Sequence, residues 1–165
     1  MLRKVISGGQ NGVDQAALRA AKRVGFETGG KLPLGCRTIA GARRDLLVDF
    51  GMEEHESPEY PPRTNANVRE SDATLRIACD FMSAGERCTL AALRRHERPY
   101  LDVLVTTRQD GGTLAPVVIV SDVVDWIRGG CFRVLNVAGN SEVTAPGIGV
   151  FADAYLTSIF EHLIG

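Results

Sequence analysis

The sequence predicts an α/β protein, a doubly wound, mainly parallel sheet flanked by helices and built as a single domain over residues 1–165. Three observations predict it. Short β-like runs alternate with segments of helical period, the signature of βαβ units. Much of the glycine, at 18 of 165 residues, gathers in clusters that follow those runs, where a chain turns from strand to helix. The composition, 44% apolar and 24% charged, suits a domain that needs no disulfide or metal staple. No repeat, low-complexity stretch or linker divides the chain.

The elements follow in order. Arg3 to Ile6 is a short strand ending in glycines. Val13 to Val24 carries Val13, Ala16, Ala17, Ala20, Ala21 and Val24 at helical spacing, with Gly25 as its stop. Lys31 to Pro62 is rich in Gly, Pro, Arg and Glu and reads as loops with a short helix. Arg63 to Ser71 is a helix with Pro62 near its first turn, and Ala73 to Ala78 a strand. Ala84 to Glu97 is a helix that Pro99 prevents from continuing, and Tyr100 to Thr106 a strand. Ala115 to Val120 is β-branched and favours extended chain. Ser121 caps a helix to Arg128, closed by Gly129-Gly130. Phe132 to Val137 is a strand and Gly147 to Leu163 the last helix.

Charge and composition exclude several classes. Nineteen Lys and Arg against 20 Asp and Glu leave a net charge of −1 without a basic stripe, so no nucleic-acid partner is expected. No run approaches a membrane span, and the first strand meets Ser7-Gly8-Gly9 too soon to hold a signal-peptide core. The cysteines (Cys36, Cys79, Cys88, Cys131) lie far apart, which suits reduced thiols in a cytoplasmic protein. His55, His96 and His162 lack metal-ligand spacing, and no Ser sits in a nucleophile elbow.

Ligands of open α/β sheets bind at the carboxyl ends of the strands. Ser7-Gly8-Gly9-Gln10-Asn11-Gly12-Val13-Asp14 offers backbone N–H groups and a helix N-terminus to an oxyanion, though a plain β–α turn capped by Asn11 or Asp14 fits equally. Gly29-Gly30-Lys31-Leu32-Pro33-Leu34-Gly35-Cys36-Arg37 sets two basic residues among glycines, or is a surface loop. Ala84-Gly85-Glu86-Arg87-Cys88-Thr89 opens a helix and fits a phosphate cradle or a capped helix start. Asn136-Val137-Ala138-Gly139-Asn140-Ser141-Glu142 has polar groups that suit a base or sugar, or simply ends a strand. Arg69 clamps an anion or pairs with Glu70 or Asp72.

Ile6 to Asp14, then Asn67-Val68-Arg69-Glu70-Ser71-Asp72-Ala73-Thr74, then Leu135-Asn136-Val137-Ala138-Gly139 with Ala145-Pro146-Gly147-Ile148, resemble the molybdenum-cofactor carrier family. That family is a circularly permuted branch of the Rossmann-like SLOG superfamily, which includes the "lonely guy" phosphoribohydrolases, once called lysine decarboxylases. The matches run in family order over almost the whole chain. The family's Gly-Gly-Thr phosphate loop is not kept: the chain reads Gly85-Glu86-Arg87-Cys88-Thr89, with Thr89 in the threonine's place. The acid the hydrolases carry after that loop is absent, since Leu90-Ala91-Ala92-Leu93 follows Thr89. The segment 110–120 also departs from the family pattern.

The resemblance implies a cytoplasmic, non-catalytic protein that holds a phosphorylated small molecule, a nucleotide derivative or a molybdopterin-type cofactor. Amides of Gly8, Gly9 and Gly12 meet its anion, Lys31, Arg37 and Arg69 neutralise charge, Asp14 and Asn136 orient hydroxyls or ring nitrogens, and Gln10, Thr89 and Gly139 complete the contacts. No metal ligands are expected. A second reading is a nucleoside 5'-monophosphate phosphoribohydrolase, with Asp14 and Asp72 the acids in suitable loops. A third is an interaction module using Tyr155, Leu156, Ile159, Phe160, Leu163 and Ile164. The superfamily's habit implies a homo-oligomer.

Overall fold

The computed structural model describes residues 1–108 and 111–165; Asp110, where the poorly matching segment begins, lies outside them. Strand β1 (Lys4–Ser7) leads into α1 (Val13–Val24), followed by β2 (Glu27–Gly29), β3 (Lys31–Leu32), β4 (Arg37–Thr38), β5 (Gly41–Ala42), α2 (Asp45–Phe50) and β6 (Glu53–Glu54). Next come α3 (Tyr60–Arg69), β7 (Ala73–Ala78), α4 (Ala84–Arg95), β8 (Tyr100–Thr107), β9 (Leu114–Pro116), α5 (Val120–Gly129), β10 (Val134–Gly139) and α6 (Ile148–Ile164).

The main sheet has six strands in the order β2-β1-β10-β7-β8-β9. Every pairing is parallel except the last, where β9 runs antiparallel to β8. The chain therefore has the α/β, Rossmann-like architecture expected of it. The last strand, β10, returns to the middle of the sheet, between β1 and β7. All six residues of β7 are buried, as befits a strand covered on both faces.

Alanines decide how α1 packs. Ala16, Ala17, Ala20 and Ala21 are fully buried in the main core, where short side chains let backbones approach closely. The same core holds Tyr155, Leu156, Ile159, Phe160 and Leu163 of α6, leaving only Ile164 of the proposed interaction face exposed. Gly25 ends α1 in a left-handed conformation with φ 100°, as the C-terminal glycine requires.

The region from 31 to 62 is more ordered than its composition predicts. Four short strands and α2 fold around a second apolar cluster of Leu18, Leu32, Cys36, Leu46 and Met52. Helix α3 begins at Tyr60, ahead of the expected Arg63, because Pro61 and Pro62 fit a first turn whose N–H groups have no helical partner. Ser121 is not a cap: α5 starts at Val120 after Ile119, and Ser121 lies inside the first turn. No helix among the described residues is long and apolar enough to cross a membrane, and all four cysteines are free.

Candidate functional site

A cavity of about 440 Å³ opens at the carboxyl ends of β1, β10 and β7. Gln10 and Asp14 line it from the start of α1, Tyr60, Arg63 and Thr64 from α3, Ser83 to Thr89 from α4, and Ala138 to Ser141 from the end of β10. Each side chain is placed by a strand-to-helix transition or a first helical turn, which is why a doubly wound sheet gathers them.

The loop after β1 is built inward. Gly9 N donates to Ser7 Oγ at 3.2 Å, Gln10 N to Asp14 Oδ2 at 3.2 Å and Asn11 N to Gln10 Oε1 at 3.2 Å. Val13 N donates to the Asn140 carbonyl at 3.2 Å. Gly12 has φ 126°, and a Cβ there would lie 2.5 Å from that carbonyl, so glycine lets α1 dock against the end of β10. The amides expected to meet a ligand's anion are thus largely engaged within the chain, and Asp14 takes the place that anion would have had. At Gly8 a side chain would collide with the Arg63 guanidinium, 1.6 Å from its Nη1.

A different helix start is open. Ser83 caps α4 by accepting from Glu86 N at 3.4 Å, and its carbonyl accepts from Arg87 N at 3.0 Å. Among the described residues nothing takes the amides of Ala84 and Gly85, and a Cβ at Gly85 would meet nothing within 4 Å. Arg63 is the single Lys or Arg of the described lining. Its Nη1 stands 3.9 Å from Asp14 Oδ2, and its Nε is buried without a hydrogen bond.

Two acids stand in the same wall. Burial pushes the Asp14 carboxyl up, against the pull of the Arg63 guanidinium and the amides of Gln10, Gly139 and Gly8. Burial likewise pushes Glu86 up to about 7, despite the nearby Arg76. Arg76 projects from β7 and is itself 2% exposed. It forks onto Asp102 at 2.7 and 2.6 Å, donates to the Glu86 carbonyl at 3.1 Å, and lies over the rings of Phe81 and Tyr100. Its Nη1 is 3.6 Å from Glu86 Oε2, too long for a hydrogen bond.

Of the residues singled out from sequence, Gln10, Asp14, Thr89 and Gly139 come together in the lining. The Thr89 hydroxyl donates to the Gly85 carbonyl at 3.1 Å. Gly8, Gly9 and Gly12 shape the adjoining loop as buried backbone. The others lie elsewhere. Lys31 pairs with Glu53 and, at 3.8 Å, with Glu70. Arg69 pairs with Glu70 at 3.3 Å, and Arg37 is exposed outside the lining. Asn136 is buried in mid-sheet, donating to Thr74 Oγ1 at 3.1 Å. Asp72 sits at the opposite edge of the sheet, where its Oδ2 accepts from the amides of Arg133 and Val134 at 2.7 and 2.8 Å. Those amides hold its carboxyl below the usual range, Val134's most of all.

Arg63, Glu86 and Tyr60 were not among the expected site residues. Glu86 stands in the third position of a helix that follows a strand, which was the available signal. Arg63 becomes visible only once α3 is known to start at the strand ends. Asn140 also escaped notice: its Oδ1 accepts from Cys79 N and Asp80 N at 2.8 and 2.9 Å, fixing the approach to α4. No group of His, Cys, Asp and Glu among the described residues is arranged to hold a metal ion.

Comparison with curated proteins gives no match. Among solved structures, the chain is similar to the "Putative molybdenum carrier protein" of Syntrophus aciditrophicus SB, at 27% identity and a TM-score of 0.78, over 96% of this chain and 94% of that one. The model of the circularly permutated YpsA SLOG family matches residues 5–160. The chain belongs to that circularly permutated YpsA family of the SLOG superfamily.

Proposed function

We propose that the protein binds a phosphorylated small molecule, a nucleotide derivative or a molybdopterin-type cofactor carried as cargo, in the cavity at the strand ends. The open first turn of α4 carries this reading. Free amides at Ala84 and Gly85, the positive end of a 12-residue helix and the nearby Arg63 favour an anion at that place. The exposed ring of Tyr60 and the side chain of Ile39 give the rest of the ligand apolar surface. A molybdopterin-type group would be held here through its phosphate and ring, since the described lining offers no metal cluster. The name of the Syntrophus neighbour fits such a cargo.

The test is a thermal-shift panel of nucleoside monophosphates and molybdopterin. At least one is expected to raise the melting temperature of the wild type, and Gly85→Asp to abolish the shift by placing a carboxylate at the seat. That variant keeps its own melting temperature, because an acid suits a first helical turn. A panel without effect on the wild type refutes the reading.

Glu86 gives a second reading some support. A buried carboxyl with a pKa near 7 is suited to acid–base work on the N-glycosidic bond of a nucleoside monophosphate. It stands in the wall where the sequence lacks the hydrolases' acid after Thr89. Release of free base from AMP, lost in Glu86→Gln, is the measurement. The free cysteines fit a reducing, cytoplasmic setting. The proposed homo-oligomer, to be read by light scattering, uses a surface other than the buried face of α6.

A further inference from the structure

Buried polar groups in folded proteins are hydrogen-bonded, so exceptions need a cause. This cavity has two. Glu86 is 2% exposed, and its Oε2 is buried with no hydrogen-bond partner among the described residues. The Arg63 Nε is in the same condition. Asp14, 5% exposed, faces the same space with Arg63 at 3.9 Å, beyond hydrogen-bonding distance. The cavity thus has a buried floor of two acids and one guanidinium, and an exposed rim at Ala84 and Gly85. A phosphate pressed onto that floor would meet two carboxyls against one cation, and like charges repel strongly where water is excluded.

We propose that the floor at Glu86 and Asp14 receives an uncharged, hydrogen-bond-donating group of the ligand, a sugar hydroxyl or a ring N–H, while the anion stays at the rim. The inference rests on the cavity being the ligand site, and adds which end of the ligand lies where. Such a group satisfies the floor on both sides. Its O–H or N–H donates to the carboxyls, and its oxygen or ring nitrogen accepts from Arg63. Glu86 also stands next to Gly85, so its charge makes the rim hospitable to an anion only when the ligand's donor occupies the acid beneath.

The charge on Glu86 is set from every side. Arg76 on β7 favours ionisation; Asp102 on β8, Asp80 before α4 and Asp14 on α1 oppose it; Arg63 on α3 faces the same cavity. The end of β10 contributes Asn140 and Ser141, which are uncharged. Ionisation near neutral pH turns the floor from a donor into a pure acceptor. A neutral donor then binds more tightly, and an anion less tightly.

Calorimetric titrations between pH 5.5 and 8.5 with adenosine, 2',3'-dideoxyadenosine and sulfate read this directly, because none of the three probes changes its charge in that range. Adenosine is expected to tighten about fivefold as pH rises, the difference between a neutral and a charged hydrogen-bond acceptor. Sulfate is expected to weaken. Glu86→Gln flattens both profiles, while Glu86→Asp keeps them. A slope lost with dideoxyadenosine assigns the donor to the sugar, and a slope retained assigns it to the base. A flat wild-type profile for adenosine, with sulfate still bound, overturns the inference and spares the ligand site. Binding of neither probe to the wild type overturns both.

Discussion

Gly12 and Gly85 each stand at a helix start, and the surrounding atoms put opposite demands on them. Gly12 has φ 126° and leaves no room for a Cβ beside the Asn140 carbonyl. Gly12→Ala is expected to lower stability by about 2 kcal/mol, through backbone strain and the clash, read as a fall in urea midpoint. At Gly85 a Cβ meets open space, so Gly85→Ala leaves the midpoint unchanged or raises it, since alanine favours a helix by about 1 kcal/mol over glycine. A large loss at Gly85 would show that this helix start is not open. Arg76 makes the third case. Its replacement by Met strands Asp102 and Glu86 without their shared cation, and a loss of about 3 kcal/mol at pH 8 is expected from breaking a buried pair. The loss shrinks at pH 5, where Glu86 is protonated and no longer needs the guanidinium.

Helix α4 shows what the sequence could and could not convey at the scale of elements. Its start was legible because Ser83 precedes a helical pattern, and Ser83→Ala is expected to cost about 1 kcal/mol in a denaturation curve. Helix α1 and strand β7 were legible at both ends, since alanine spacing and a short apolar run leave few alternatives. Strands β3 to β6 were not, because two-residue strands carry no period; they exist through the packing of Leu32, Cys36, Leu46 and Met52. Ser121 misled because α5 opens with Val120, so the helix is set by burying Val123, Val124 and Ile127 rather than by a hydroxyl cap. The site divides the same way. Glycine loops announced the right strand ends, yet Lys31, Arg37 and Arg69 lie outside the cavity, and the guanidinium inside it comes from Arg63. Basic residues in glycine-rich loops look free in a sequence, whereas here Glu53 and Glu70 take two of the three.

For the whole molecule, the buried acids predict how stability varies with pH. Glu86 moves from an ordinary 4.5 in the unfolded chain to about 7 in the folded one. Between those values the native state holds a proton that the unfolded state has lost, so stability is fully present below pH 4.5 and declines as pH rises toward 7. At 1.36 kcal/mol per unit this amounts to about 3 kcal/mol, undiminished by solvent because the side chain is buried. Asp14 acts in the same direction from its ordinary 3.8 upward. Asp72 acts oppositely but in another window: its carboxyl is held low by the Val134 and Arg133 amides, so its contribution is complete above 3.8 and disappears only as pH falls through its folded value. The two signs do not overlap between pH 4.5 and 7. The urea midpoint is therefore expected to climb as pH falls from 8 to 5 and to drop again below 4. Glu86→Gln, which carries no charge at any of these pH values, should remove most of the climb and leave the acid limb intact. A wild-type midpoint that is level or falling between pH 8 and 5 would mean that Glu86 is ionised at little cost, and that the cavity floor is far more hydrated than its burial implies.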